Sequence, residues 1–194
     1  MLHTVLQPIR ERRSLKAFDP LRPVESEILA ALFEAARWAP SSYNEQPWRF
    51  LLFDGKMPEL LEAMRSCLVE ENRWARSAPV LLLSLAKESL TRTIRRNRHA
   101  EHDVGLATQN LVLQAVQLGM VTHLIGGFDA EKSVALFNIP SEFRPMAVVA
   151  LGYPLPRSPM ELTDRRLDDV SKRERRSIEE FVFQGKWGEP FQGL

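Results

Sequence analysis

Cysteine is almost missing from this chain. Cys67 is the only one in 194 residues, which excludes an intrachain disulfide and any multi-cysteine metal or iron–sulfur site. The reducing cytoplasm is the expected compartment. An excess of either charge is missing too, because 26 Lys and Arg face 25 Asp and Glu for a net charge of +1. That balance argues against a globally basic nucleic-acid binder and against an acidic disordered chain. Long apolar runs are absent. The stretch Pro79–Ala86 is less than half of the roughly 20 residues a membrane-spanning helix needs, so no membrane partner is expected. The first ten residues show no basic-then-apolar leader. There is no Gly-x-Gly-x-x-Gly, no phosphate-binding P-loop and no Gly-x-Ser-x-Gly elbow. Rossmann, nucleotide-triphosphatase and serine-hydrolase chemistry are thereby disfavoured.

What is present is ordinary globular material, 44% hydrophobic and 26% charged. Residues 1–194 are expected to form a single domain, with a C-terminal arm over about 164–194. Apolar spacing predicts a helix over 25–38, where Ile28, Leu29, Leu32, Phe33 and Ala36 share a face and Pro40 follows. Trp48–Phe53, closed by Asp54-Gly55, reads as a strand and turn. A helix over about 57–70 and an apolar strand over Val80–Ala86 come next. Residues 103–119 form the longest helical pattern, with Gly119 as its stop. Strands are expected at Val121–Ile125 and Met146–Gly152, flanking a short helix near 130–137. Helices alternating with short strands imply an α+β or α/β sandwich. The tail carries Phe181, Phe183, Trp187 and Phe191 with little helical character, and aromatics there need a surface to cover.

Two stretches invite a chemical reading. Arg12-Arg13-Ser14-Leu-Lys16 gathers three cations and a hydroxyl, which suits bidentate phosphate recognition. The same residues would also serve as a solvated start to the first helix. Pro40-Ser41-Ser42-Tyr-Asn44-Glu-Gln46 is dense in side chains that donate and accept, as needed to read the edge of a flat polar ring. Such residues also favour plain turns. His99, Glu101, His102 and Asp103 could share a helical face and hold a metal, but no third nitrogen ligand is evident. Cys67 falls in a helical pattern and reads as a small apolar filler. Arg92, Arg95, Arg96 and Arg98 cluster within seven residues and could attract an anion.

Together these stretches resemble the nitroreductase family of flavin mononucleotide enzymes. The resemblance runs from Arg-Arg-Ser-Leu-Lys-Ala-Phe-Asp19 and Ala39-Pro-Ser-Ser-Tyr-Asn-Glu-Gln-Pro-Trp48 through Ala78-Pro79-Val80 and the segment Asp103–Ala115. It continues with Ile125-Gly-Gly-Phe-Asp129 and Ala150-Leu-Gly-Tyr-Pro154, then the basic pair Arg165-Arg166. It implies a three-layer α/β/α sandwich of α+β class, a central mixed sheet with helices on both sides. It implies FMN as cofactor, NADPH or NADH as co-substrate, and ping-pong reduction of nitroaromatics, quinones or similar flat acceptors. The flavin carries the chemistry in such proteins, so no catalytic side chain and no metal are expected.

By that resemblance Arg12, with Arg13 beside it, meets the flavin phosphate. Ser14 contacts the ribityl or ring edge, and Lys16 faces the pyrimidine edge. Pro40, Ser41, Ser42 and Asn44 match residues supplied from the second subunit of a homodimer, and Gln46 belongs to the same motif. Asn72 stands about where a polar ring contact is expected. Gly126 and Gly127 match a strand end whose backbone N–H points at the ring. Arg165 or Arg166 matches the late cation of the phosphate site. Many members carry a Pro and a Glu where this chain has Leu124 and Gly126. A non-catalytic flavin-binding protein, or a specialised member acting on another aromatic, would share these motifs.

Overall fold

A computed structural model describes residues 5–91, 93, 95–155 and 173–191. The chain divides into two compact units, Met1–Pro156 and Arg157–Leu194. Among its described residues the first holds five α-helices, α1 (Gln7–Glu11), α2 (Ser26–Arg37), α3 (Pro58–Arg65), α4 (Ala100–Gln117) and α5 (Ala130–Leu136). Its four strands are β1 (Trp48–Phe53), β2 (Val80–Lys87), β3 (Val121–Ile125) and β4 (Phe143–Gly152). They form one sheet in the order β1-β2-β4-β3, with every pair antiparallel.

The sheet is covered on both faces because its strands alternate between two apolar sets. Val80, Leu82 and Ala86 of β2 face one way with Val149 and Leu151 of β4, against α2 and α4. Leu81, Leu83 and Leu85 face the other way with Val148 and Ala150, against α3 and the segment around Ile139. This is the expected three-layer sandwich. The four strands themselves are antiparallel rather than mixed, and the isolated bridge from Ser14 to Thr122 of β3 is parallel.

Helix α4 buries Val104, Ala107, Leu111 and Ala115 at helical spacing. It ends in a Schellman turn, in which Met120 N–H donates to Ala115 O and Gly119 N–H to Val116 O. Gly119 takes the left-handed conformation there, with φ 73°.

Three elements have boundaries that differ by three residues or more from the sequence reading, and α4 is one, starting at Ala100 rather than at 103. Helix α3 ends at Arg65 rather than near residue 70, because the chain leaves it to pair with the segment after β3. Leu68 bridges Phe128, and Asp129 N–H donates to Cys67 O at 2.7 Å. A 3-10 helix, Glu70–Ser77, follows instead. Strand β4 begins at Phe143, three residues early, because a register shift at Ser84/Leu85 accommodates the proline. Pro145 has no N–H for the ladder, and Ser84 repairs the break by accepting from Ala147 N–H and donating to Ala147 O.

The second unit contains the 3-10 helix Ile178–Glu180, capped reciprocally by Ser177 and Glu180. Phe183 bridges Pro190 and lies 4.7 Å from the Trp187 ring. Trp187 is nevertheless 90% exposed.

Candidate functional site

The edge strand β3 organises one group of the expected residues. After α1 the chain runs extended past β3, where Ser14 bridges Thr122, and Phe18 bridges Pro154. The Arg12 guanidinium donates to Ser14 Oγ at 3.0 Å. Lys16 Nζ stands 5.5 Å from the centre of the Trp74 ring, a cation–π contact. Trp74 comes from the 3-10 helix, stacks on Phe18 at 6.3 Å and tilts against His123 at 4.4 Å. Asn72, from the same 3-10 helix, donates to Gly127 O at 2.8 Å. The structure thus brings Arg12, Ser14 and Lys16 to one part of β3, and Asn72, Gly126 and Gly127 to its end. Asn72 donates its amide to the Gly127 carbonyl, so it braces that turn.

Several polar groups in this region are unspent. Trp74 Nε1 is buried without a hydrogen-bond partner among the described residues, and so is Thr122 Oγ1. Among the described residues no backbone acceptor takes the N–H of Gly126 or Gly127. A Cβ at Gly126 would meet open space, whereas one at Gly127 would come within 2.7 Å of Asn72 Nδ2. Burial and the nearby charges of Lys16 and Arg12 hold the His123 imidazole below its ordinary 6.5, against the opposing pull of the Leu15 and Ser14 carbonyls. Cations, amide donors and an indole N–H flank the strand. A flat ligand with an acceptor-rich edge and an anionic end matches that donor set.

The second group lies elsewhere. Pro40, Ser41, Ser42, Asn44 and Gln46 form the connection from α2 into β1. A single 3-10 turn, Ser42–Asn44, interrupts it. Tyr43, Asn44 and Gln46 all have positive φ, at 52°, 56° and 46°. For non-glycine residues this costs energy and needs outside support. The support is Asp103, 2% exposed near the start of α4, which accepts from Ser42 N–H at 2.9 Å. Ser41 Oγ accepts from Gln46 N–H at 3.0 Å, and Gln46 Nε2 donates to Asn44 Oδ1 at 3.1 Å. Because this loop enters β1 while the first group surrounds β3, the groups belong to opposite edges of the sheet. Three strand spacings separate those edges, about 14 Å. The chain does not bring the two groups together.

Other expected residues are placed as follows. Arg165, Arg166 and Arg92 lie outside the described residues. Arg95, Arg96 and Arg98 are exposed on a turn where Ser89 bridges Arg96 and Leu90 N–H donates to Arg95 O. His102 Nδ1 pairs with Asp103 Oδ1 at 3.0 Å, and no metal-holding group of His, Cys, Asp or Glu occurs among the described residues. Cys67 is buried, and burial raises its thiol pKa, in keeping with a packing role. Sequence reading passed over Trp74 and His123. The available signal was an indole inside the charged run Glu70–Ser77 and an imidazole inside the apolar strand Val121–Ile125.

Residues 9–153 match the Nitroreductase family. The chain belongs to the nitroreductase family. A relative from Methanothermobacter thermautotrophicus, provisionally named an NADH dehydrogenase/NAD(P)H nitroreductase, is 30% identical over 154 residues, covering 77% of each chain. A solved oxidoreductase containing FMN is 29% identical with a TM-score of 0.85, covering 97% of this chain and 96% of its own. A protein from Desulfovibrio desulfuricans, provisionally described as a nitroreductase and solved in complex with FMN, is 26% identical. Its TM-score is 0.72, and the match covers 98% of this chain and 99% of that one. Among the described residues, this nitroreductase-family chain has no helix long and apolar enough to cross a membrane.

Proposed function

We propose that this protein is an FMN-dependent oxidoreductase that takes hydride from NADH or NADPH and reduces a nitroaromatic, a quinone or a similar flat acceptor. The observation that carries the reading is the donor set along β3. A flavin mononucleotide has a phosphate at one end and a carbonyl-rich ring edge at the other. Arg12, Lys16, the buried Trp74 N–H and the Gly126 and Gly127 amides, which no backbone acceptor takes among the described residues, offer the groups such a molecule needs. The residues present fit the cofactor.

When bound, the flavin supplies hydride acceptance and electron donation. The chain's own task is to hold and polarise it. Arg12, braced by Ser14 and joined by Arg13, would hold the phosphate. Lys16 would face the pyrimidine edge, where a fixed cation stabilises negative charge building on the ring. Asn72 holds the Gly126-Gly127 turn open so that its amides can donate.

The assembly in this reading is a homodimer with the flavin at the subunit interface. Pro40, Ser41, Ser42, Asn44 and Gln46 would complete the partner's site, since they lie at the far edge of their own sheet. Trp38 and Tyr43 beside that loop are exposed, as residues awaiting a partner surface would be. An interface above roughly 2,000 Å² is expected, as in obligate dimers. A small aromatic acceptor and a cytoplasmic setting complete the proposal, with no nucleic-acid partner.

Purification followed by flavin titration and NAD(P)H oxidation with menadione tests it. The protein should bind FMN more tightly than riboflavin, and Arg12→Ala should weaken FMN by about 1.5–3 kcal/mol through a lost charge-assisted bond. Riboflavin binding as tightly as FMN would remove the phosphate assignment. Bound flavin without turnover would make the protein a flavin binder. A flavin-loaded monomer in light scattering would overturn the shared site.

A further inference from the structure

An imidazole at the centre of an apolar edge strand needs a physical reason. His123 is partly buried, and its Nδ1 lies 3.2 Å from the carbonyl oxygen of Leu15. Leu15 sits between Ser14 and Lys16, so this hydrogen bond fixes the backbone from which the hydroxyl and the cation project. The ring also packs on Trp74, the indole over which Lys16 stands. One side chain therefore touches both supports of the cationic segment.

We propose that His123 is a positioning residue for the anion-binding segment, and that its protonation is coupled to occupancy of the Arg12–Lys16 cradle by an anion. The inference rests on the reading of the cradle as the flavin phosphate and ring-edge site. The groups facing the imidazole set the sign. From the N-terminal segment they are the charges of Arg12 and Lys16, with the Ser14 and Leu15 carbonyls. From the 3-10 helix it is the uncharged Trp74, and across the β3–β4 ladder His123 pairs with Ala150. No carboxylate contributes to its balance among the described residues. Without a bound anion these cations and burial favour the neutral imidazole, whose Nδ1–H can donate to the Leu15 carbonyl.

An anion in the cradle offsets the two cations. The penalty on a third positive charge then falls, and the imidazole becomes easier to protonate. Linkage is reciprocal, so acidification through this window must tighten anion binding relative to a protein lacking the imidazole. The FMN phosphate itself titrates near pH 6, which makes the comparison between variants the informative quantity.

The test measures FMN affinity of wild type and His123→Asn from pH 7.5 to 5.5, together with the histidine NMR titration with and without FMN. Asparagine keeps a donor near the Nδ1 position and cannot titrate. Wild-type affinity should gain roughly 3- to 10-fold over the variant across that range, the effect of up to one pKa unit. The His123 resonance should titrate higher with FMN bound, and higher in ligand-free Lys16→Met than in ligand-free wild type. A constant ratio between the two proteins would reduce His123 to a structural prop and overturn the coupling. FMN failing to bind at any pH would instead overturn the reading of the site. The Lys16→Met titration then decides the inference alone, and an unmoved imidazole there sinks it.

Discussion

Gly127 and Gly152 differ in what an added methyl group would strike. A Cβ on Gly152 comes 2.6 Å from Pro79 Cδ and 3.3 Å from Phe18 Cδ1. The proline ring is tied into its own backbone and cannot swing aside. On Gly127 the first obstacle is Asn72 Nδ2, the far end of a side chain that can rotate. Gly152→Ala should therefore cost about 1–3 kcal/mol or more, as overpacking does. Gly127→Ala should cost nearer the 0.5–1.5 kcal/mol of the Asn72–Gly127 hydrogen bond it displaces. Urea unfolding of Gly127→Ala, Asn72→Ala and the double variant checks the mechanism, because the two changes break one bond and must not add. His123 supplies a pH signature at the same scale. Its imidazole is harder to protonate in the folded chain than at its ordinary 6.5. The unfolded chain therefore takes the proton first, and ligand-free stability should decline as pH falls from about 6.5 through the lower folded value. Thermal melts of wild type and His123→Asn should converge at low pH and separate toward neutrality; parallel curves would contradict the shift.

Asp103 ties two elements, the start of α4 and the strained loop from α2 to β1. Three positive-φ residues in that loop have no glycine among them, so the conformation depends on contacts made from outside. Asp103→Ala removes the acceptor for Ser42 N–H and should cost about 1–3 kcal/mol by leaving that donor unpaired. Asp103→Asn keeps an oxygen and should cost less. If the loop serves the partner's flavin, both variants should also weaken FMN, and a loss of stability with unchanged flavin affinity would detach the loop from the site. Elements whose pattern is local were legible in the residues alone. Trp48–Phe53 and Val121–Ile125 match β1 and β3 residue for residue. The end of α3 was not legible, because it depends on Leu68 meeting Phe128, which lies sixty residues on. The same holds within the site. The cations and glycines announced themselves as short motifs, whereas Trp74 and His123 matter only because a 3-10 helix and an edge strand pack side by side.

At the scale of the molecule, charge is balanced overall yet locally concentrated. Arg95, Arg96 and Arg98 are exposed between β2 and α4, and Arg144 beside them is already paired with Glu88 and Glu101. The turn they occupy is linked to the α2–β1 loop, since Thr91 N–H donates to Glu45 Oε2 at 2.9 Å. In the dimer proposed above, that loop reaches the partner's flavin, so the guanidinium groups would stand near the entrance of the partner's site. NADPH differs from NADH by one phosphate, and exposed guanidinium groups attract it over roughly 8 Å at physiological salt. Replacing Arg95 and Arg96 together by Ala should lower kcat/KM for NADPH severalfold and leave NADH little changed. The difference should shrink as salt rises, because screening acts on the wild-type attraction that the variant lacks. Equal losses for both nucleotides would point to a damaged turn, and no loss for either would leave these arginines as a solvated surface cluster. The salt series separates attraction from contact, since a bidentate bond to the phosphate would persist at ionic strengths that erase long-range steering.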